Sequence, residues 1–295
     1  MKETEVVKGQ RGNPNGYVEF LPVGYDGTKK FPMLTWWHGL GETGSGTDSG
    51  LDRLQRNIVL WLRKNDVPFL VLVPQDANGW GKASPFAVWA DKHYQTIDQG
   101  SKHMAGLSSG GYMIRDFINE GSDIYKTYST FTPMATNLDS AIPNVKRIID
   151  NDQYIQAHAG ENDGGANMVG ASARFIAAGQ KLDPKRFELI VYDDIGHSAW
   201  DYVYNAAGEA KAEMTKDGKL ITTFEGAKLR EWKVGEPTWF EWLLAHSKSK
   251  QPNPPTDPEP PVEIVDGFTT GFIFKGEAHI VTESGAKYKF PVTKE

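Results

Sequence analysis

Ser108 lies in Gly106-Leu-Ser-Ser-Gly-Gly111, a G-x-S-x-G run between an apolar stretch that ends at Leu107 and a helical pattern from Gly110 to Asn119. A serine on so sharp a strand-to-helix turn holds its hydroxyl in the open, where it can attack an electrophilic carbon. A hydroxyl is a weak nucleophile until a base takes its proton, so a histidine must join it. His197, in Gly196-His-Ser198, follows the apolar run Phe187–Tyr192 and has the right order and place. Competing histidines fit less well: His38 belongs to a second motif, His93 and His246 to helical patterns, His103 to the strand before the serine and His279 to the tail.

A histidine base needs a buried acid to fix its tautomer and stabilise the imidazolium. Asp163 closes the run His158-Ala-Gly-Glu-Asn-Asp163, between the serine and the histidine in sequence, with Glu161 as the close rival and Asp193 and Asp194 as weaker ones. Attack on a carbonyl also needs two N–H donors for the oxyanion, each worth about 3 kcal/mol. Ser109, directly after the nucleophile, supplies one, and Leu40 in His38-Gly-Leu-Gly-Glu42 is the candidate for the other.

These residues require a scaffold that brings four loops to one edge. Strands are expected at Tyr17–Val23, Phe31–Trp37, Phe69–Val73, Lys102–Leu107, Tyr128–Thr132, Tyr154–His158 and Phe187–Tyr192. Helices are expected at Leu51–Lys64, Phe86–Ile97, Gly110–Asn119, Ala166–Ala178 and Thr238–His246. Alternating β and α elements with apolar strands imply an α/β class, with a mostly parallel sheet covered on both faces. Glu209–Trp232 breaks the rhythm as an insertion, with Asp217-Gly218 as its hairpin turn.

The chain has 295 residues, no cysteine and a formal net charge of −6. Without cysteine there is no disulfide, thiolate metal site or cysteine nucleophile. The acidic balance with scattered Lys and Arg argues against nucleic acid as a partner, and no apolar run is long enough to span a membrane. Neither a metal-binding H-E-x-x-H nor a phosphate or dinucleotide loop is present, so no cofactor and no metal are expected. The polar stretch Met1–Gln10 lacks the apolar core of a leader. Localisation stays open, with the extracellular space or periplasm favoured if a leader has been removed.

Aromatic residues make up 12%, with 9 Trp. Trp80 and Trp200 fall beside the proposed cleft, whereas Trp36, Trp37 and Trp61 read as core. Lys248–Pro261 holds six prolines in fourteen residues, an extended stretch without a core of its own. The expected division is a catalytic domain over 1–246, a Pro-rich linker over 247–261 and a small β-rich segment over 262–295. Short strands are expected there at Gly271–Phe274, Ala278–Val281 and Tyr288–Phe290, with turns at Gly276 and Ser284-Gly285. A segment this short is expected to dock on the catalytic domain or on another protein.

Phe31–Glu42, Gly106–Tyr112, Ala159–Asp163 and Gly196–Trp200 together resemble the α/β-hydrolase superfamily. The likeness is to its polyhydroxybutyrate-depolymerase-like, feruloyl and acetyl-xylan esterases, over roughly Gly16–His246. The resemblance implies Ser108 as nucleophile, His197 as base, Asp163 as acid, and Leu40 and Ser109 as oxyanion donors. Pro74-Gln75 followed by Trp80 matches that branch's cleft tryptophan, and Trp200, just past the histidine, is expected to form another wall. It further implies a serine esterase working through an acyl-enzyme on acetyl or feruloyl groups of a polysaccharide. A polyester hydrolase and a non-catalytic binding protein on the same scaffold are the alternatives. The absence of cysteine, the insertion and the Pro-linked tail depart from that branch.

Overall fold

The computed structural model describes residues 1–205, 212–232, 238–248, 268–274, 277–282 and 287–291. The chain divides into two compact units, Met1–Lys250 and Gln251–Glu295.

The first unit is built on eight strands: β1 (Lys2–Val6), β2 (Tyr17–Leu21), β3 (Phe31–Trp37), β4 (Leu70–Pro74), β5 (Ile97–Leu107), β6 (Thr130–Met134), β7 (Tyr154–Gly160) and β8 (Phe187–Tyr192). They join in the order β1-β2-β4-β3-β5-β6-β7-β8. β2 runs antiparallel to β1 and β4, and all other neighbours are parallel. Eight helices accompany them among the described residues: α1 (Asp48–Leu51), α2 (Asn57–Leu62), α3 (Ser84–His93), α4 (Ser109–Glu120), α5 (Val145–Asp150), α6 (Met168–Gln180), α7 (Trp200–Asn205) and α8 (Trp239–Ala245).

Successive strand residues point to opposite faces, so the sheet feeds two cores. Met33, Leu70, Leu72 and Met104 pack with residues of α3, α4 and α6. Leu34, Val71, Val73 and Ala105 pack with residues of α2 and α8. Trp36 and Trp37, adjacent on β3, go one to each core, and Trp61 stacks on Phe240 at 5.4 Å. Burial on both faces explains why the central strands read as continuous apolar runs.

Several elements depart from the sequence reading: β5 starts at Ile97 and not at Lys102, β6 is shifted to Thr130–Met134, and α5 and α7 were not expected. The expected helix Leu51–Lys64 is interrupted at Arg56, which is extended (φ −145°, ψ 176°), and at Asn57, whose φ is +48°. The expected helix Phe86–Ile97 starts earlier, at Ser84, with proline in its first turn, and stops at His93. There the Tyr94 hydroxyl turns inward to Tyr17 and the Glu19 carboxylate. β1 was missed because its Lys-Glu-Thr-Glu alternation is polar, as suits a solvent-facing edge strand.

Within the insertion, β9 (Met214–Lys216) and β10 (Lys219–Ile221) pair around Asp217-Gly218, and β11 (Thr223–Phe224) pairs with β12 (Ala227–Lys228). Residues 209–211 of that segment lie outside the described residues. Ser247 and Lys248, assigned from sequence to the linker, are fastened to the first unit. The Ser247 and Ser101 hydroxyls lie 2.6 Å apart, and the Lys248 ammonium donates to the Lys126 carbonyl. The rest of the Pro-rich stretch and the turns at Gly276 and Ser284-Gly285 lie outside the described residues. The second unit contains β13 (Phe268–Phe274), β14 (Glu277–Thr282) and β15 (Lys287–Pro291), an antiparallel three-stranded sheet in that order.

Candidate active site

Parallel register aligns the strand ends. Trp37 pairs with Gly106, Leu107 with Met134, Met134 with His158 and Gly160 with Tyr192. The loops that follow therefore emerge along one edge of the sheet, the edge where open α/β folds bind ligands.

At the turn from β5 to α4, Ser108 has φ +52° and ψ −116°, a conformation that costs a non-glycine residue about 1–3 kcal/mol. The surroundings enforce it. A Cβ on Gly106 would collide with the Gly110 backbone, one on Gly110 with the carbonyls of Trp37 and His38, and one on Gly111 with the Thr136 hydroxyl. The Ser108 N–H donates to the Met134 carbonyl at 2.9 Å. The helix thus starts against the loop after β3, and the serine side chain stays partly exposed.

His197 reaches Ser108 from the loop after β8. Its Nε2 lies 2.8 Å from Ser108 Oγ, and its Nδ1 lies 3.0 Å from Asp163 Oδ2. With the Nδ1 proton donated to the carboxylate, Nε2 is free to accept the serine proton. The Asp163 side chain is 3% exposed and that of His197 43%. The acid and histidine loops are laced together, with the Asn162 N–H on the Ile195 carbonyl and the Glu161 N–H on the Tyr192 carbonyl. A Cβ on Gly160 would overlap the carbonyl oxygens of Ile195 and Gly196, so this close passage requires glycine. Glu161 turns elsewhere: its carboxylate accepts the Asp194 N–H at 3.3 Å, and burial followed by nearby Asp193 raises its pKa. Asp194 in turn accepts from the Asn162 amide.

Leu40 and Ser109 each open a helical turn, where a backbone N–H has no intrahelical acceptor. Gly79 lies between them: a Cβ there would come within 3.1 Å of both Leu40 Cδ1 and Ser109 Oγ, and its φ of +78° also demands glycine. The Leu40 peptide is held by a histidine whose role the sequence did not reveal. Buried His38 accepts the Asp76 N–H on Nε2 at 2.8 Å, which puts its proton on Nδ1, 2.7 Å from the Gly39 carbonyl. In a planar trans peptide the N–H points opposite the C=O, so anchoring this carbonyl turns the Leu40 N–H the other way. Burial lowers the His38 pKa and favours that neutral form.

Asp76 was also missed. Its carboxylate accepts the N–H groups of Asn78, Gly79 and Gly81, folding a loop that presents Trp80. Carboxylate-to-backbone turns of this kind leave only an Asp and nearby glycines as a sequence trace. Trp80 is 58% exposed and packs on Tyr112 at 5.3 Å, while the Arg115 guanidinium covers the Tyr112 ring at 4.6 Å. Trp200 starts α7 and meets the His197 ring edge-on at 5.3 Å. It also packs against a core, so it supports the His197 ring from one side. Among the described residues no cluster of three or more metal-ligating side chains occurs, and no helix is long and apolar enough to cross a membrane.

The strand order, the single reversed strand and the serine on the turn after β5 define the α/β-hydrolase fold. Neither a protein-family model nor a curated protein sequence matches the chain. Among solved structures it is similar to a thermostable esterase, at 21% identity and a TM-score of 0.49, covering 83% of this chain and 63% of that one. It is also similar to a feruloyl esterase module from Clostridium thermocellum complexed with sinapinate, at 19% identity and a TM-score of 0.46 over 64% of this chain and 79% of that one. Esterase 2 of Thermogutta terrifontis, phosphorylated by paraoxon, is similar at 12% identity and a TM-score of 0.47, over 66% and 84% of the two chains.

Proposed function

We propose that the protein is a serine esterase that hydrolyses carboxylic esters through an acyl-enzyme. The observation that carries this reading is the unbroken Ser108–His197–Asp163 relay, with links of 2.8 and 3.0 Å. His197 Nε2 takes the Ser108 proton as Oγ adds to the ester carbonyl. The oxyanion lies on the N–H groups of Leu40 and Ser109, and the imidazolium lies against Asp163. Collapse of the tetrahedral species expels the alcohol, which receives the proton from His197 and leaves an acyl-serine. Water, deprotonated by the same histidine, then adds to the acyl carbon. Collapse of this second tetrahedral species breaks its bond to Ser108 Oγ, which regains the proton from His197 as the acid leaves.

For substrate we favour acetyl or feruloyl groups on a polysaccharide. Exposed Trp80, backed by Tyr112, offers a flat apolar face beside the nucleophile that suits a sugar or phenolic ring. Polyester cleavage is the second reading, favoured by Leu40, which is 54% exposed and adds aliphatic surface to the same rim. The activity belongs to the first unit, which holds Ser108, Asp163 and His197.

Turnover of p-nitrophenyl acetate, lost in Ser108→Ala, together with fluorophosphonate labelling at Ser108, is the expected result. A folded protein that neither turns over acetyl, butyryl and feruloyl esters nor takes the label would instead be a binder on a hydrolase scaffold. A panel of acetylated xylan, methyl ferulate and polyhydroxybutyrate then separates the substrates.

A further inference from the structure

We infer that Glu42 is a positioning residue for the oxyanion hole: its carboxylate, by holding the Gly39 N–H, fixes the direction in which the Leu40 N–H points. This rests on reading Ser108 as the nucleophile and Leu40 as an oxyanion donor.

Gly39 is the weak point of that hole. A glycine has nearly free φ and ψ, and a Cβ here would have to displace the Leu107 Cδ1 methyl. Two peptide planes meet at its Cα, and both must be fixed before the Leu40 N–H has a direction. The plane after it is fixed through its carbonyl, which accepts from His38 Nδ1 at 2.7 Å and from the Glu42 N–H at 3.0 Å. The plane before it is fixed by Glu42 Oε2, which accepts the Gly39 N–H at 3.0 Å. Together they set Gly39 at φ −83° and ψ 172°. Glu42 therefore grips the glycine from both sides, once with its backbone and once with its carboxylate.

The surroundings support a dedicated role. Glu42 is 5% exposed, and burying a carboxylate costs free energy unless it is well bonded. Asn57, the positive-φ residue where the expected helix breaks, brings its side chain close to the carboxylate, with the Arg56 charge nearby. Gln75 closes the arrangement by donating to the carbonyls of Glu42 and Gly50 at 3.0 and 2.6 Å while accepting the Gly46 N–H at 3.0 Å. An interrupted helix, a buried acid and a buried amide thus converge on a turn whose exposed product is one N–H.

The test uses the full chain, with p-nitrophenyl acetate as substrate and circular dichroism as a check on folding. Glu42→Ala removes the acceptor, and Glu42→Asp retains the charge but withdraws it by a methylene. Both should lower kcat by about 10–100-fold, short of the 10²–10³ for outright loss of a donor, with KM within about threefold. Glu42→Gln still reaches the Gly39 N–H with its carbonyl oxygen and should keep kcat within about threefold of the parent. The inference is overturned if folded Glu42→Ala stays within threefold in kcat, or if Glu42→Asp matches Glu42→Gln. A loss confined to KM overturns it too. If Glu42→Ala does not fold, the Asp and Gln pair decides. A parent without turnover or fluorophosphonate labelling removes the functional reading itself, a result distinct from an active parent that is indifferent to Glu42.

Discussion

The two sides of the candidate site are built by different means. On the Ser108 side, backbone geometry does the positioning. Ser108 is forced to positive φ, the glycines after it have no room for a side chain, and Gly39 is gripped through both of its peptide planes. On the base side, Gly196 has open space around it, and the partly exposed His197 is held by one bond to Asp163, one to Ser108 and the ring of Trp200. A nucleophile and its oxyanion donors keep one position through the reaction. A base has to accept a proton and pass it on, so hydrogen bonds that survive either protonation state suit it better than steric enclosure.

The contrast is broken most directly at the acid. Asp163→Asn should leave the fold intact yet lower kcat by about 10⁴-fold, because an amide no longer secures the proton on Nδ1. Glu161→Gln should stay within about threefold, since Glu161 points to the Asp194 amide. Reversed effects in p-nitrophenyl acetate kinetics would move the acid to Glu161. A smaller effect is expected at Gly160, a point where the histidine loop depends on steric fit. Gly160→Ala would push away the carbonyls of Ile195 and Gly196 and displace His197 from Ser108. A loss of about 10²-fold in kcat follows from a misplacement of about 1 Å. A fully active Gly160→Ala would show that the histidine loop adjusts freely.

How much of this was legible differs between the two sides. The elbow, the histidine and the acid candidates came from single residues at positions that the chemistry dictates, and the α/β class came from apolar strands alternating with helical stripes. The oxyanion clamp did not. His38 and Glu42 stand in the quoted motif, but their roles depend on which way buried side chains turn, and local spacing does not encode that. Helix Leu51–Lys64 failed for a related reason: its apolar stripe is genuine, yet the extended Arg56 and the positive φ of Asn57 break it, a turn that local periodicity does not encode. β1 was lost because an exposed edge strand carries no apolar signal.

A third measurement uses the charge on the enclosed side. Burial raises Glu42 from 4.5 to about 7. Between those values the folded protein holds a proton that the unfolded chain has released, so stability falls as pH rises through this window, and the full cost applies above it. Glu42→Gln escapes the cost. Its Tm relative to the parent should therefore improve by several degrees between pH 5 and pH 8, with 3 kcal/mol as an approximate ceiling. A difference independent of pH would place Glu42 in contact with water.

The smallest effect is expected where neither mode of positioning applies. Trp80 rests on Tyr112 from a loop organised by Asp76 and leaves most of its surface to solvent. Trp80→Ala should accordingly leave kcat on p-nitrophenyl acetate unchanged within about twofold, because that small ester needs no ring platform. On a feruloyl or acetylated sugar ester, loss of the aromatic face should raise KM by about 5–10-fold, equivalent to the roughly 1 kcal/mol of an aromatic contact. Equal losses on both substrates would mean that Trp80 supports the Leu40–Ser109 wall through Gly79, which would extend the rigid side outward to the rim. Loss on the bulky ester alone would leave the rim as a separate, adaptable layer that recognises substrate and takes no part in setting the chemistry.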